Sequence, residues 1–395
     1  MSTKLVGAIF FICFIASTNC FAESFTFLNL NEQIKLNKIA HSTYQVDAKN
    51  LNIRISNRLI IKSKHFLTSE EITHLAPQLS RQITLFKLST QAYYLLEFET
   101  TDSALSALTL LQVHPQISLV QPDLLQLNLT SPKSLIKENV SKFKPENLTH
   151  FITLNDIKKM KENNQGENVK VAIIDDGIDT SIPELQRVEQ IFNYDFNANN
   201  KDENLQFGHH GTQVASTIFS TLQKNMGIAP RAQLISIRQL DTWTSTTLLS
   251  FYMAQAAGAD IINASWNSRI LLEPIKDIVN YLAINGRDAK GIPVVFSAGN
   301  SGQKIEPNRL ESSLKKAIIV GAINKNNQKL PLSNYGGSVD LYAPGWAVNV
   351  IKLKPNTLFG ATSRAAAITS GYIALMLSEN ADLTLKQISN TLGAH

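Results

Sequence analysis

Apolar positions along this chain follow two rhythms, and the change of rhythm divides it. Between residues 59 and 120 they come in short clusters separated by turn residues. Residues 59–62, 83–88, 93–98 and 117–120 read as strands. Residues 69–79 and 102–113 read as helices, the first opening on Ser69-Glu70-Glu71 and the second with Asp102 as N-cap. The order βαββαβ predicts a split-βαβ unit, a layer of four antiparallel strands under two helices. From residue 169 onward the apolar runs are nearly continuous, as in VKVAII at 169–174, and recur at 234–237, 261–263, 293–296 and 317–320. Such runs belong to strands covered on both faces. Helical stretches at 246–257 and 272–285 lie between them, so this half is read as α/β, a doubly wound and mainly parallel sheet. Its last apolar stretch, LFGATSRAAAITSGYIALML at 358–377, is small or apolar on nearly every side and must be a buried helix with a polar mouth at Thr362 and Ser363.

A chain of 395 residues fits two domains rather than one, and 44% hydrophobic with 17% charged residues is ordinary for a soluble protein. The first 22 residues are different. A basic start at residues 1–4, an apolar run at 5–16 and Cys20-Phe21-Ala22 before Glu23 read as a secretory signal peptide with its cleavage site. A lipid anchor on Cys20 is the alternative, but Ser17-Thr18-Asn19 lacks the leucine and small residue usual before such a cysteine. Both cysteines, Cys13 and Cys20, fall inside this segment, so the mature chain is expected to carry no thiol or disulfide. That suits a bacterial exporter, with a periplasmic or extracellular destination. No later run is long enough for a membrane span, and the net charge of +5 is scattered, with no basic stripe for nucleic acid. Lys133, Lys137, Lys142 and Lys144, with Pro132 and Pro145, mark residues 131–145 as an exposed linker open to proteolysis.

Candidate chemistry collects where strands end. Asp175-Asp176-Gly177 follows VKVAII directly, at the carboxyl end of a strand where α/β sheets bind ligands; an acidic turn is the structural alternative. In Gly208-His209-His210-Gly211-Thr212, the following Val214, Ala215 and Ile218 put His210 near a helix start. The adjacent histidines point in different directions and no ligand cluster accompanies them, so no metal site is predicted. Ser363, in the first turn of the buried helix, faces unpaired N–H groups and the positive end of the helix dipole, a setting for a nucleophile whose attack creates an oxyanion. The alternative is a Thr-Ser N-cap. Asn300 could cap a strand and Ser265-Trp266-Asn267 could pack around the indole, each without any catalytic role. No G-x-S-x-G surrounds a serine, which disfavours a lipase or esterase, and Asp175-Asp176-Gly177 is no phosphate loop.

Five segments in order, VKVAIIDDGID, HHGTQVAS, NASWNS, SAGNSG and GATSRAAA, resemble the subtilisin-like serine peptidase family. The resemblance implies a serine endopeptidase in which Ser363 attacks the scissile carbonyl, His210 takes its proton and Asp175 orients the imidazole. Asn300 and the Ser363 N–H would hold the oxyanion, while Ser265, Trp266 and Asn267 would line a cleft for an extended peptide. It further implies no cofactor for the chemistry, a peptide or protein substrate and a monomer. The layout would be signal peptide (1–22), ferredoxin-like propeptide (23–130), linker (131–145) and catalytic domain (146–395). Residues 124–129 would be the inhibitory tail of that propeptide. Several positions depart from the family pattern: Ala361 for Gly, Arg364 for an apolar residue, Ala367 for Pro, Gln213 and Ser216 for His and Gly, and Asn267 for Gly. Arg364 and Asn267 motivate an alternative, a catalytically impaired relative that only binds peptides. Glu184 falls where some relatives place a calcium ligand, which leaves a structural calcium open, although a lone carboxylate is more often a solvated surface residue.

Overall fold

The computed structural model describes residues 24–47, 51–126, 150–196, 209–305, 314–351 and 358–394. The expected signal peptide, the linker and residues 127–129 of the expected tail lie outside them.

The N-terminal unit is built on one long strand, β4 (Leu51–Ser63), which pairs antiparallel with β7 (Ile117–Gln126) along one edge and β6 (Ala92–Phe98) along the other. β6 in turn pairs with β5 (Leu79–Lys87), and helices α1 (Ser69–Leu75) and α2 (Thr101–Leu111) make the crossovers. The predicted split-βαβ unit is therefore present, inside a larger sheet. Three strands precede it, β1 (Ser24–Asn29), β2 (Glu32–Ala40) and β3 (Thr43–Val46), and β3 pairs with the first part of β4. In that part Leu51, Ile53 and Ile55 are buried while Asn52 and Arg54 face water, a period-two pattern too polar on average to stand out as an apolar run. Helix α1 starts at Ser69 as predicted but stops at Leu75 rather than 79, and α2 starts earlier than predicted, at Thr101. Thr68 caps α1 in a reciprocal capping box with Glu71, and Thr100, not Asp102, caps α2 by accepting from Ser103 N. A threonine just before the helix outcompetes an aspartate already inside it, because only the residue with extended backbone can aim its oxygen at the free N–H groups.

The C-terminal unit carries seven parallel strands in the order β14-β13-β12-β11-β8-β10-β9. In chain order these are β8 (Lys170–Asp175), β9 (Gln190–Asp195), β10 (Gln233–Arg238), β11 (Ile261–Ala264), β12 (Val294–Ser297), β13 (Ile318–Ile323) and β14 (Leu341–Pro344). The helices are α3 (Leu154–Asn163), α4 (His209–Phe219), α5 (Thr244–Ala256), α6 (Glu273–Ala289), α7 (Ala361–Glu379) and α8 (Leu385–Leu392). Alternation along β8 divides the core into two layers. Val171 and Ile173 pack with residues of α4 and α7, whereas Ala172 and Ile174 pack with those of α5 and α6. Helical backbone in α6 stops at Gly286, Arg287 and Asp288, next to the predicted end at 285. The chain places β9 and β10 on one side of β8 and β11 to β14 on the other, so the crevice of the sheet opens at the end of β8, at Asp175.

The two units meet at helix N-termini. Neither α5 nor α6 has a side-chain cap of its own. Asp123 on β7 supplies one, accepting from Ser245 N (2.9 Å) and Ser245 Oγ (2.7 Å) while pairing with Arg58 (2.7 Å). Burial pushes the Asp123 carboxyl up against the pull of Arg58 and Ser245. Asn29, the last residue of β1, accepts from Glu273 N (2.9 Å) at α6. Beyond Asp123 the strand runs on to a backbone bridge between Leu125 and Trp243, and the Gln126 side chain accepts from Arg269 N and Ile270 N, both at 3.0 Å.

Candidate active site

Two carboxylates converge on the start of α4. Asp175, buried at the end of β8, accepts from His210 Nδ1 at 2.8 Å and from Asp176 N at 2.9 Å. Asp176 turns the other way and receives first-turn N–H groups, Gly211 N at 2.7 Å and His210 N at 3.3 Å. Gly211 is required there, since a Cβ would collide with the Gly177 carbonyl and approach Asp175 Cβ to 3.0 Å. Charges follow from this packing. Burial works against the Asp175 anion, but the charge and hydrogen bond of His210 outweigh it and hold the carboxyl below its usual range. Asp176 is pushed up to about 6 by burial and by the neighbouring Asp175 charge. Burial alone would pull His210 down; Asp175, seconded by Asp176, carries it up to about 9. The imidazole packs edge-on against Phe359 at 5.7 Å and keeps 38% of its side chain exposed. Asp175, Asp176 and His210 place donor atoms within 4.8 Å of one another, and both Asp176 oxygens are already taken up by backbone N–H groups.

Phe359 leads into the buried helix α7. Its N-cap is Gly360, which offers no side chain, so Thr362 and Ser363 sit inside the first turn and the expected alternative of a Thr-Ser cap does not hold. Ala361 N donates to the Gly345 carbonyl at 2.6 Å, and Thr362 N donates to Asn300 Oδ1 at 3.1 Å. Thr362 Oγ1 donates to the same Asn300 oxygen at 2.7 Å. Arg364 N makes the first intrahelical bond, to Gly360 O, which leaves Ser363 N without an acceptor among the described residues. Ser363 Oγ, 7% exposed as a residue, donates to the Ser265 carbonyl at 3.1 Å and makes no hydrogen bond to His210. Ser265 Oγ returns a bond to the Ser363 carbonyl at 3.2 Å. One rim of the sheet thus holds an imidazole, a buried hydroxyl and a free helix N–H, and the profile of the subtilase family matches residues 166–393.

The chain belongs to the subtilase family. Subtilisin DY of Bacillus licheniformis is 32% identical over 241 residues, spanning 58% of this chain and 84% of that relative. Subtilisin NAT of Bacillus subtilis subsp. natto is 28% identical over 337 residues, 78% of this chain and 85% of the relative, so the likeness reaches beyond the C-terminal unit. The crystal structure of a cold adapted subtilisin-like serine proteinase covers 58% of this chain and 83% of its own, with 23% identity and a TM-score of 0.49. The protein is a serine endopeptidase acting on peptides or proteins, of a family that needs no cofactor for catalysis. Among the described residues no helix is long and apolar enough to cross a membrane.

The departures from the subtilase pattern acquire physical content in the structure. Ala361 has φ +61°, a left-handed conformation that costs an L side chain about 1 kcal/mol or more and explains the usual glycine. Arg364 points its guanidinium to the Pro344 and Trp346 carbonyls (3.4 and 3.2 Å) and over the Trp346 ring at 5.1 Å, and burial lowers it to about 10. Asn300, holding Thr362 with its carbonyl oxygen, has its amide nitrogen on the opposite side. Trp266 is anchored by its indole N–H on the Ile174 carbonyl (3.0 Å) and packs edge-on against Phe296 at 5.6 Å, yet also lines a small cavity with Asn267 and Gln126. Ser265 is fixed from below, where Asn263 donates to its hydroxyl and Ser370 of α7 donates to Asn263.

Glu184 is 1% exposed, not the solvated carboxylate expected of a lone acid, and its Oε1 has no partner among the described residues. No group of three acids or imidazoles among the described residues includes it. Sequence reasoning passed over Asp176, Asn29 and the Arg58–Asp123 pair. The doubled acid in Asp175-Asp176 was the one available signal, since a second carboxylate beside an imidazole always bears on its charge.

Proposed function

We propose that this subtilase cleaves peptide bonds through an acyl-enzyme carried on Ser363, with Asp175 and His210 completing the triad. The observation that carries the reading is the first turn of α7, where Ser363 keeps an unpaired N–H and the preceding Thr362 is held by Asn300. When a substrate enters, the hydroxyl leaves the Ser265 carbonyl and turns to neutral His210. The Oγ–H proton passes to Nε2 as Oγ bonds the scissile carbon, and the oxyanion is received by Ser363 N and Asn300 Nδ2. As the C–N bond breaks, His210 returns the proton to the leaving amine; water then releases the acid by the same steps in reverse. Asp175 holds the imidazole in the tautomer this needs and favours its charged form.

The chain is further read as a secreted precursor with the layout 1–22, 23–130, 131–145 and 146–395. The N-terminal unit caps α5 and α6 through Asp123 and Asn29, and β7 extends to Gln126 beside Trp266 and Asn267. This supports its role as a propeptide that assists folding and keeps its extended end in the cleft. A fluorophosphonate probe tests the chemistry: it labels wild type and fails on Ser363→Ala. Ser363→Ala also accumulates as uncut precursor when maturation is autocatalytic. Absence of labelling in folded, propeptide-free wild type would refute Ser363 as the nucleophile.

A further inference from the structure

Two departures from the subtilase pattern meet in one turn. β14 ends at Pro344, and the chain continues through Gly345, Trp346 and Ala347 to Val348, which exchanges two backbone hydrogen bonds with Phe359 at 2.8 and 2.9 Å. Gly345 N ties the turn to the sheet by donating to the Ile323 carbonyl at 2.9 Å. The carbonyls of Pro344, Gly345 and Trp346 are all taken by the first residues of α7. Ala361 N donates to the middle one at 2.6 Å, and Arg364 Nη1 donates to the outer two at 3.4 and 3.2 Å while its guanidinium lies over the Trp346 ring. The fit is close from both sides. A Cβ at Gly345 would run into the Ala361 carbonyl, and one at Gly360 would meet the Ala347 backbone at 2.8 Å.

Ala361 needs such a hold. Its φ of +61° is a conformation that an L side chain keeps only where its surroundings impose it. The helix itself imposes little, since its first intrahelical bond, Arg364 N to Gly360 O, is stretched to 3.5 Å and Gly360 supplies no side-chain cap. Relaxation of Ala361 to negative φ would swing its N–H away from Gly345 and carry the next residues with it. Those residues are Thr362, bound to Asn300, and Ser363 with its free N–H. Burial lowers the Arg364 guanidinium to about 10, and no carboxylate pairs with it among the described residues. Its hydrogen bonds there go to the turn.

We infer that Arg364 is a positioning residue: by holding the carbonyls of Pro344 and Trp346 it keeps Ala361 left-handed, and so keeps the Ser363 hydroxyl and N–H where the reaction needs them. This rests on the reading of Ser363 as the nucleophile. A glycine at 361 adopts the same φ without strain, so the arginine is required only because residue 361 is alanine. Misplacement of reacting groups by about 1 Å costs roughly 100-fold in rate, which sets the scale of the effect.

The test uses the full chain as produced, in wild-type, Arg364→Met, Arg364→Lys, Ala361→Gly and doubly substituted Ala361→Gly, Arg364→Met forms. Both kcat and KM are measured on one peptide, with each rate referred to the sites that a fluorophosphonate titrates at completion, so that molecules failing to fold drop out. Arg364→Met lowers kcat about 10- to 100-fold and leaves KM within about twofold. Arg364→Lys keeps the charge but cannot span two carbonyls; it loses an intermediate amount and keeps the inference open to refutation if Arg364→Met fails to fold. In the Ala361→Gly background, Arg364→Met changes kcat by less than about threefold. The acid limb of the pH profile stays in place throughout. A loss of equal size in both backgrounds, no loss in either, or an effect of Arg364→Met that consists of a moved acid limb overturns the inference while leaving the nucleophile reading intact. Wild type that neither cleaves nor takes the probe overturns both.

Discussion

Asp176→Asn removes one of the two negative charges against His210 while keeping the size and shape of the side chain. His210 is raised to about 9, and as the proposed general base it works only when neutral, so about 1% of the free enzyme would be competent at pH 7. The rate constant kcat/KM therefore climbs with pH and levels off above that value. Asp176 itself is raised to about 6, so it is ionised throughout the part of the curve that matters. Its carboxylate lies within 4.8 Å of an imidazole nitrogen. Coulomb's law gives about 1 kcal/mol for that pair in a water-like medium and about 3.5 kcal/mol at an effective dielectric of ~20. With 38% of the His210 side chain in contact with solvent, the lower figure governs, roughly 0.6 of a pH unit. The acid limb of Asp176→Asn is thus expected to move down by about 0.6 unit, making the variant about fourfold faster than wild type near pH 7. Gly211 N or His210 N loses an acceptor in the exchange, which costs about 1 kcal/mol of stability and leaves the fold intact. The assay is kcat/KM against pH, from about 6 to 10, on a peptide with no titratable group. An acid limb that stays within about 0.2 unit of wild type, or moves up, refutes the reasoning.

Asn300→Ala removes the proposed second oxyanion donor and should lower kcat about 100- to 1,000-fold with KM little changed; equal losses spread over KM would point to substrate binding instead. Asp123→Ala, in a Ser363→Ala background that keeps the precursor whole, strips α5 of its cap and leaves Arg58 without this partner. Denaturant unfolding should show a loss of about 3 kcal/mol, and a loss under ~1 kcal/mol would refute the capping argument.

Much of the site could be read from residue order because its parts sit at the ends of apolar strands. VKVAII ending in Asp175, the helical spacing after His210 and the small-residue helix after Ser363 are local patterns, and each local pattern fixes its own element. The β1–β3 strands escaped notice because their inward residues are diluted by polar neighbours, and β9, with little buried apolar surface, escaped for the same reason.

The amino-acid order alone determined the parallel sheet, since periodicity needs no partner to be read, and the likeness of five ordered segments to the subtilases pointed to the three groups proposed to react. Only the folded chain decided where each of those groups spends its hydrogen bonds. Asp176 faces the α4 N-terminus, Ser363 rests on Ser265, Asp123 caps a helix of the other unit, and Asn267 lies against Gly299. These are contacts between residues separated by tens to hundreds of positions, and their energies depend on distances that no one-dimensional pattern encodes.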